Sequence, residues 1–107
     1  MIVGIGVDIV EVARIAGALS RHGERFAKKV LSPVELSGFM GVTARAAWLA
    51  KRFAAKEAVA KALGTGMRAG VAFSQITLSR RSTGAPMIEL TGMAAARAAD
   101  LGAERVH

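Results

Sequence analysis

The chain has 107 residues, a net charge of +7 and no cysteine. This length fits one domain and is too short for two. The lack of cysteine excludes a disulfide framework and a thiolate metal site, and it suits the cytosol. The sequence pattern predicts neither a signal peptide nor a membrane span. Because alanine is the commonest hydrophobic residue, we expect a thin core and apolar surface that other subunits cover.

Local signals in the first part of the chain predict a strand followed by helices. Ile2 to Val7 is a β-branched run with two glycines, which is typical of a buried strand. A helix with an apolar stripe follows to about Arg21, and His22-Gly23 ends it. After a basic stretch from Arg25 to Lys29, Ser32-Pro33-Val34-Glu35 predicts the capped start of a short helix.

The middle of the chain predicts one long helix. Thr43 is expected to cap a helix from Ala44 to Leu63. Gly64 is expected to end that helix. The glycines that follow, in Gly64-Thr65-Gly66 and at Gly70, predict a mobile loop.

The last part of the chain predicts a hairpin, a helix and the start of a strand. Val71 to Ser79 and Met87 to Leu90 are the expected strands, and the turn from Thr83 to Pro86 joins them. A helix from Gly92 to Leu101, closed by the next glycine, precedes a strand that begins in Arg105 to His107. We therefore predict an α+β domain in which a small antiparallel sheet packs on a long helix.

The charge distribution favours an anionic partner. Between Leu36 and Arg81 the chain has eight basic residues and a single carboxylate, Glu57. Nucleic acid, a membrane surface, phosphates and an acidic protein would all suit this excess. A small basic nucleic-acid-binding domain is one alternative, although the aromatic residues are scattered and match no nucleic-acid-binding motif.

Two carboxylates are candidates for a metal site. Asp8 follows the predicted first strand, and Glu57 lies in the middle of the long helix with Lys61 one turn further on. If the strand end meets that helix face, Asp8 and Glu57 could share Mg²⁺, which binds through one or two carboxylates and phosphate oxygens. Lys61 and the N–H groups of the glycine loop could then contact the same phosphates.

Each of these residues also has a purely structural interpretation. Asp8 could cap the following helix, since Glu11 lies three residues on. Glu57 and Lys61 could form a surface ion pair. Gly64 could serve only as a helix C-cap. Three arginines could form a solvated basic face: Arg14, Arg21 and Arg25.

Four segments together resemble one known family. The stretch from Val3 to Ile15 resembles the N-terminal signature of bacterial holo-acyl-carrier-protein synthases, and Phe53 to Gly66 resembles their second signature. Leu31 to Glu35 and Gly84 to Pro86 are similar to further family features. The resemblance covers essentially the whole chain, residues 1–107, as a single phosphopantetheinyl transferase domain.

The resemblance implies a fold and an activity. The expected fold is that of the 4′-phosphopantetheinyl transferases. The expected reaction moves 4′-phosphopantetheine from coenzyme A to a serine of apo acyl carrier protein and releases adenosine 3′,5′-bisphosphate. It also implies Mg²⁺, a cytoplasmic homotrimer with active sites at subunit interfaces, and no nucleic-acid or membrane partner.

The same resemblance implies roles for particular residues. Asp8 and Glu57 match the metal-binding carboxylates, and Glu57 with Lys61 would serve catalysis. Residues near the coenzyme A phosphates would be Arg52, Lys61, Gly64, Thr65 and Gly66. The acidic carrier protein would dock on Arg14, Arg21 and Arg25. Family members usually continue past the position of His107, which implies that the C-terminal strand is absent or truncated here.

Overall fold

The computed structural model describes residues 9–104, which form five helices and one hairpin. In chain order the helices are α1 (Ile9–His22), α2 (Glu24–Val30), α3 (Pro33–Phe39), α4 (Arg45–Ala62) and α5 (Gly92–Glu104). A 3-10 turn (Phe73–Gln75) leads into strands β1 (Ile76–Arg80) and β2 (Pro86–Leu90). The predicted α+β class is confirmed. The predicted strands at Ile2–Val7 and Arg105–His107 lie outside the described residues.

The two strands pair antiparallel in the register that the hairpin turn sets. Ile76 pairs with Leu90 and Arg80 with Pro86. Gly84 has a φ of 89°, a left-handed conformation that glycine adopts without strain. The predicted turn is therefore confirmed.

The core consists of two apolar clusters that share α4. The first cluster joins α1, α2 and α3 to the first half of α4, with Ile15, Val30 and Leu49 at its centre. The second joins the end of α4 to the hairpin and α5 through Val59 and Ile76. The sheet thus packs on the C-terminal half of the long helix, as predicted.

Helix starts follow the sequence signals in one case and not in another. At α3, the Ser32 side chain accepts a hydrogen bond from Glu35 N, and Ser32 N donates to Glu35 Oε1. This capping box confirms the prediction. At α4, the N-cap is Ala44 and no side chain caps the helix, so the prediction that Thr43 caps it was wrong.

Three further segments differ from the sequence expectations. The basic stretch after Gly23 forms α2, because Ala27 and Val30 bury one helix face in the first cluster. The first predicted hairpin strand begins only at Ile76, because the residues before it form the 3-10 turn. The last helix continues past Gly102, since a glycine within a helix costs only about 1 kcal/mol.

Candidate active site

The outer face of α4 carries two of the predicted site residues. Glu57 and Lys61 are both exposed and lie one helical turn apart. In the part of the chain from residue 9 to residue 104, neither side chain forms a hydrogen bond or an ion pair. The surface ion pair that their spacing allows is therefore not formed, and neither charge is neutralised by another of the described side chains.

The glycine loop closes the C-terminal end of α4. Gly64 and Gly66 have φ values of 80° and 58°. Gly64 N donates to Lys61 O at 2.9 Å, and Gly66 N donates to Ala60 O at 3.1 Å. Gly64 thus ends the helix in the left-handed conformation directly after the C-cap residue, Leu63. Because these two N–H groups already have acceptors, they brace the loop and are not free donors to a phosphate.

Arg97 of α5 supports the same loop, and the sequence analysis did not identify it. Its Nε donates to Leu63 O at 2.8 Å. Its Nη2 lies 3.3 Å from the point that a Cβ on Gly64 would occupy. A cation at this position interacts favourably with the negative end of the α4 dipole. Arg97 therefore fixes the loop that begins directly after Leu63.

Arg52 points to a different side of α4. Its guanidinium carbon lies 3.6 Å from the centre of the Trp48 ring, and its Nε lies 3.5 Å from Glu35 Oε2. Burial lowers the pKa of Arg52, although the nearby Glu35 carboxylate opposes this shift. Glu57 lies five positions after Arg52. At about 100° per residue, this places the two side chains about 140° apart around the helix. The structure therefore does not bring Arg52 to the face of Glu57 and Lys61.

A buried lysine lies directly before Glu57 in the sequence. The Lys56 ammonium donates to Glu35 Oε1 at 2.5 Å, to Val30 O at 2.6 Å and to Phe73 O at 3.1 Å. Burial lowers the pKa of Lys56, whereas its hydrogen bond to Glu35 raises it. Glu35 Oε2 also accepts a hydrogen bond from Leu78 N at 3.1 Å.

The sequence contained a signal for this lysine that the sequence analysis did not use. Positions 49, 53, 56, 60 and 63 follow a heptad spacing along α4. Four of them carry apolar residues that lie in the two clusters or at their borders. Lys56 is thus a charged residue within an apolar stripe, and such a residue needs a partner in the core.

The predicted basic patch lies on α1 and α2. Arg14 is 64 % exposed and forms an ion pair with Glu11 at 3.5 Å. The Arg21 side chain extends back along α1 towards Gly17. Its Nη1 lies 3.1 Å from the point that a Cβ on Gly17 would occupy. Next to it, a cavity of about 130 Å³ is lined by His22, Arg25, Phe26 and Lys29. This surface offers several cations to an acidic partner.

Of the two predicted metal ligands, Glu57 lies on α4 and Asp8 lies outside the described residues. Among residues 9–104, no group of three histidine, cysteine or acidic side chains could hold a metal ion. Glu57 supplies one unpaired carboxylate, the type of ligand that Mg²⁺ prefers. A magnesium site at this position would therefore need another carboxylate or the oxygens of a bound phosphate.

A family model matches nearly the whole chain. Residues 4–105 match the 4′-phosphopantetheinyl transferase superfamily. The chain is 49 % identical over 106 residues to the holo-[acyl-carrier-protein] synthase of Edwardsiella ictaluri, covering 99 % of this chain and 84 % of that protein. It is 52 % identical over 102 residues to that of Halorhodospira halophila, covering 95 % of this chain and 81 % of that protein.

Solved structures share the fold. The holo-[acyl-carrier-protein] synthase of Neisseria meningitidis aligns with a TM-score of 0.75 and 41 % identity, covering 96 % of this chain and 82 % of that one. An acyl carrier protein synthase of Plasmodium yoelii with ADP bound aligns with a TM-score of 0.75 and 34 % identity, covering 85 % and 70 %.

Proposed function

The chain belongs to the 4′-phosphopantetheinyl transferase superfamily, and we propose that the α4 face with Glu57 and Lys61 is the centre of its active site. The chain is a transferase of fatty acid biosynthesis. It moves 4′-phosphopantetheine from coenzyme A to a serine of apo acyl carrier protein and releases adenosine 3′,5′-bisphosphate. The nucleic-acid-binding alternative has no support from the related proteins.

The observation that carries the site proposal is the free charge on this face. An exposed carboxylate and an exposed lysine without partners among the described residues contribute little to the stability of the fold. A ligand that bears phosphates would pair with Lys61, and a metal ion bound to those phosphates would pair with Glu57. Lys61 neutralises negative charge on the diphosphate of coenzyme A, which favours attack by the carrier-protein serine at phosphorus.

Magnesium is part of the proposal. Glu57 and Asp8 would hold Mg²⁺, since each supplies the hard oxygen ligands that this ion requires. When bound, Mg²⁺ supplies further positive charge beside the diphosphate. The serine nucleophile comes from the carrier protein, so this chain needs to orient and neutralise its substrates rather than attack them.

The glycine loop and Arg52 are proposed to contact other parts of coenzyme A. Because the N–H groups of Gly64 and Gly66 donate to α4 carbonyls, the loop would present Thr65 and the open space around Gly66. The bound ADP in the Plasmodium yoelii structure supports a nucleotide site in this fold. Arg52 would have to turn away from Trp48 to reach a phosphate.

The surface with Arg14, Arg21 and Arg25, called the docking patch below, is proposed to bind acyl carrier protein. All three side chains are exposed. Complementary charge speeds the encounter of two proteins and orients them. The basic cavity beside Arg21 extends the same surface.

Assembly, domain extent and location complete the proposal. We propose that residues 1–107 form one domain and that three copies assemble with active sites at their interfaces. Several large apolar side chains are exposed and would be covered in such a trimer: Ile9, Val10, Val34, Met40, Ile88 and Met93. Within residues 9–104, no helix is both long and apolar enough to cross a bilayer. The absence of cysteine supports the cytoplasm.

A transfer assay tests the site. Wild-type protein should add the mass of phosphopantetheine to apo acyl carrier protein only when Mg²⁺ is present. Glu57→Gln keeps the size of the side chain and removes the charge, so it should lower the transfer rate by about 100-fold or more, as loss of a principal electrostatic group does. Glu89→Gln is the matched control, because Glu89 is exposed on β2.

Two outcomes of this assay distinguish an error in the proposed site from an absence of transfer activity. Equal transfer rates for Glu57→Gln and Glu89→Gln would remove Glu57 from the active site. If the wild-type protein adds no phosphopantetheine to apo acyl carrier protein in the presence of Mg²⁺, either the proposed cofactor or the transfer activity of this chain is wrong.

A further inference from the structure

We infer that Lys56 is a positioning residue that fixes the rotation of α4, so that Glu57 faces the substrate. The inference rests on the proposed active site. It starts from the adjacency of the two residues: one side chain is fully buried and the next one along the helix is exposed. Successive side chains on a helix diverge by about 100°. The direction of the first therefore determines the direction of the second.

Lys56 holds α4 to three other segments of the chain. Its three acceptors are the last carbonyl of α2 at Val30, the α3 carboxylate of Glu35 and the 3-10 turn carbonyl of Phe73. An ammonium group has three N–H donors, so all three are satisfied. A substantial rotation of α4 about its axis would lengthen or break some of these bonds, because the acceptors belong to three different segments.

Glu35 extends this connection to the sheet. One of its oxygens accepts from Lys56, and the other accepts from Leu78 N in β1. The first oxygen also accepts from Ser32 N at the start of α3. The capping box, the sheet and α4 are thus joined through a single carboxylate.

Packing alone does not explain a lysine at this position. A buried ion pair is weak evidence for stability, since apolar residues of similar volume often stabilise a protein as well or better. The neighbouring positions of the stripe are apolar, and a methionine would continue it. What an apolar residue cannot supply is direction, because apolar burial is non-directional whereas a hydrogen bond weakens as its angle departs from linearity.

The test measures binding of coenzyme A by titration calorimetry at several Mg²⁺ concentrations, with the full chain. Lys56→Met should weaken binding by about tenfold and raise the Mg²⁺ requirement, since a small misplacement of a catalytic group has large effects. The KM for carrier protein should change much less than the affinity for coenzyme A, because Arg14 and Arg21 of the docking patch lie on α1, to which Lys56 donates no hydrogen bond. Lys51→Met is the control, as Lys51 is exposed on the same helix.

The binding readout distinguishes positioning from stability. A variant that is merely less stable keeps its affinity at temperatures where circular dichroism shows it folded. If folded Lys56→Met binds coenzyme A as wild type does, the inference is overturned. If Lys56→Met does not fold, Glu35→Gln replaces it, because this change keeps the size of the side chain and one acceptor oxygen and removes the charge that holds Lys56. Failure of both variants to fold would assign Lys56 to the fold alone and also overturn the inference.

Glu57→Gln in the same titration separates this inference from the proposed site. If Glu57→Gln weakens coenzyme A binding in Mg²⁺ and the Lys56 variant does not, only the positioning role fails. If neither Glu57→Gln nor the Lys56 variant changes binding, the proposed active site itself is wrong.

Discussion

Replacing Arg14 and Arg21 together by alanine tests the docking patch. Both side chains are exposed, and neither is part of the two apolar clusters. Arg14 has an ion pair with Glu11 in the preceding turn, and Arg21 extends over Gly17. The double substitution removes two charges from this surface and leaves the core untouched.

The structure sets the size of both expected effects. An exposed ion pair three residues apart on a helix contributes about 0.2–0.5 kcal/mol, and alanine has at least as high a helix propensity as arginine. We therefore expect the free energy of unfolding to change by less than about 0.5 kcal/mol, or Tm by less than about 4 °C. Two exposed contacts to an acidic partner contribute about 0.4–2 kcal/mol together, so KM for carrier protein should rise about two- to thirtyfold.

Steady-state kinetics at low and high salt checks this prediction. The double variant should show a higher KM for carrier protein, a weaker dependence of that KM on salt and an unchanged KM for coenzyme A. Lys51→Ala with Arg81→Ala is the control, since it removes the same charge from exposed positions elsewhere. A double variant with a raised KM for coenzyme A and a normal KM for carrier protein would place the arginines at the nucleotide site.

Four further predictions concern single residues. Asp8→Asn should sharply reduce transfer and its response to Mg²⁺; full activity would assign Asp8 to helix capping, since asparagine caps equally well. Gly70→Ala should lower the free energy of unfolding by about 1–2 kcal/mol in urea melts, because φ is 84° and the new Cβ would lie 2.8 Å from Met93 Cγ. In contrast, Gly38→Ala should raise the free energy of unfolding by about 0.5–1 kcal/mol, since Gly38 lies in α3 with open space around it. A lower free energy of unfolding for Gly38→Ala would contradict this reasoning. Ser32→Ala should cost about 1 kcal/mol in the same melts by removing the cap of α3.

The elements that could be predicted are those with a complete local signal. The capping box at Ser32 contains both of its partners within four residues, and the hairpin has its turn glycine at Gly84. The long helix was placed within one residue at each end, since alanine-rich sequence favours helix along its whole length. The family signatures likewise depend on contiguous residues, and the related proteins confirm them.

The elements that could not be predicted depend on distant residues. The 3-10 turn forms where Phe73 stacks on Phe53 at 4.8 Å and its carbonyl accepts from Lys56. Glu35 was predicted only as part of a cap, because its contact with Lys56 joins residues far apart in the sequence. Lys51 and Lys61 are lysines on the same helix and are both exposed, so residue type alone does not mark Lys56 as buried. Only its position in the apolar stripe distinguishes it.

Because both apolar clusters include residues of α4, this helix determines how the protein unfolds. Within residues 9–104, α4 is the one helix with buried residues in both clusters. Half of its 18 residues would be too few to persist as an isolated helix in water. Melting of either cluster would therefore remove the support of the other, and the two should unfold as one cooperative unit. We therefore expect the α4 backbone around Glu57 to open mainly through global unfolding and not through local fraying.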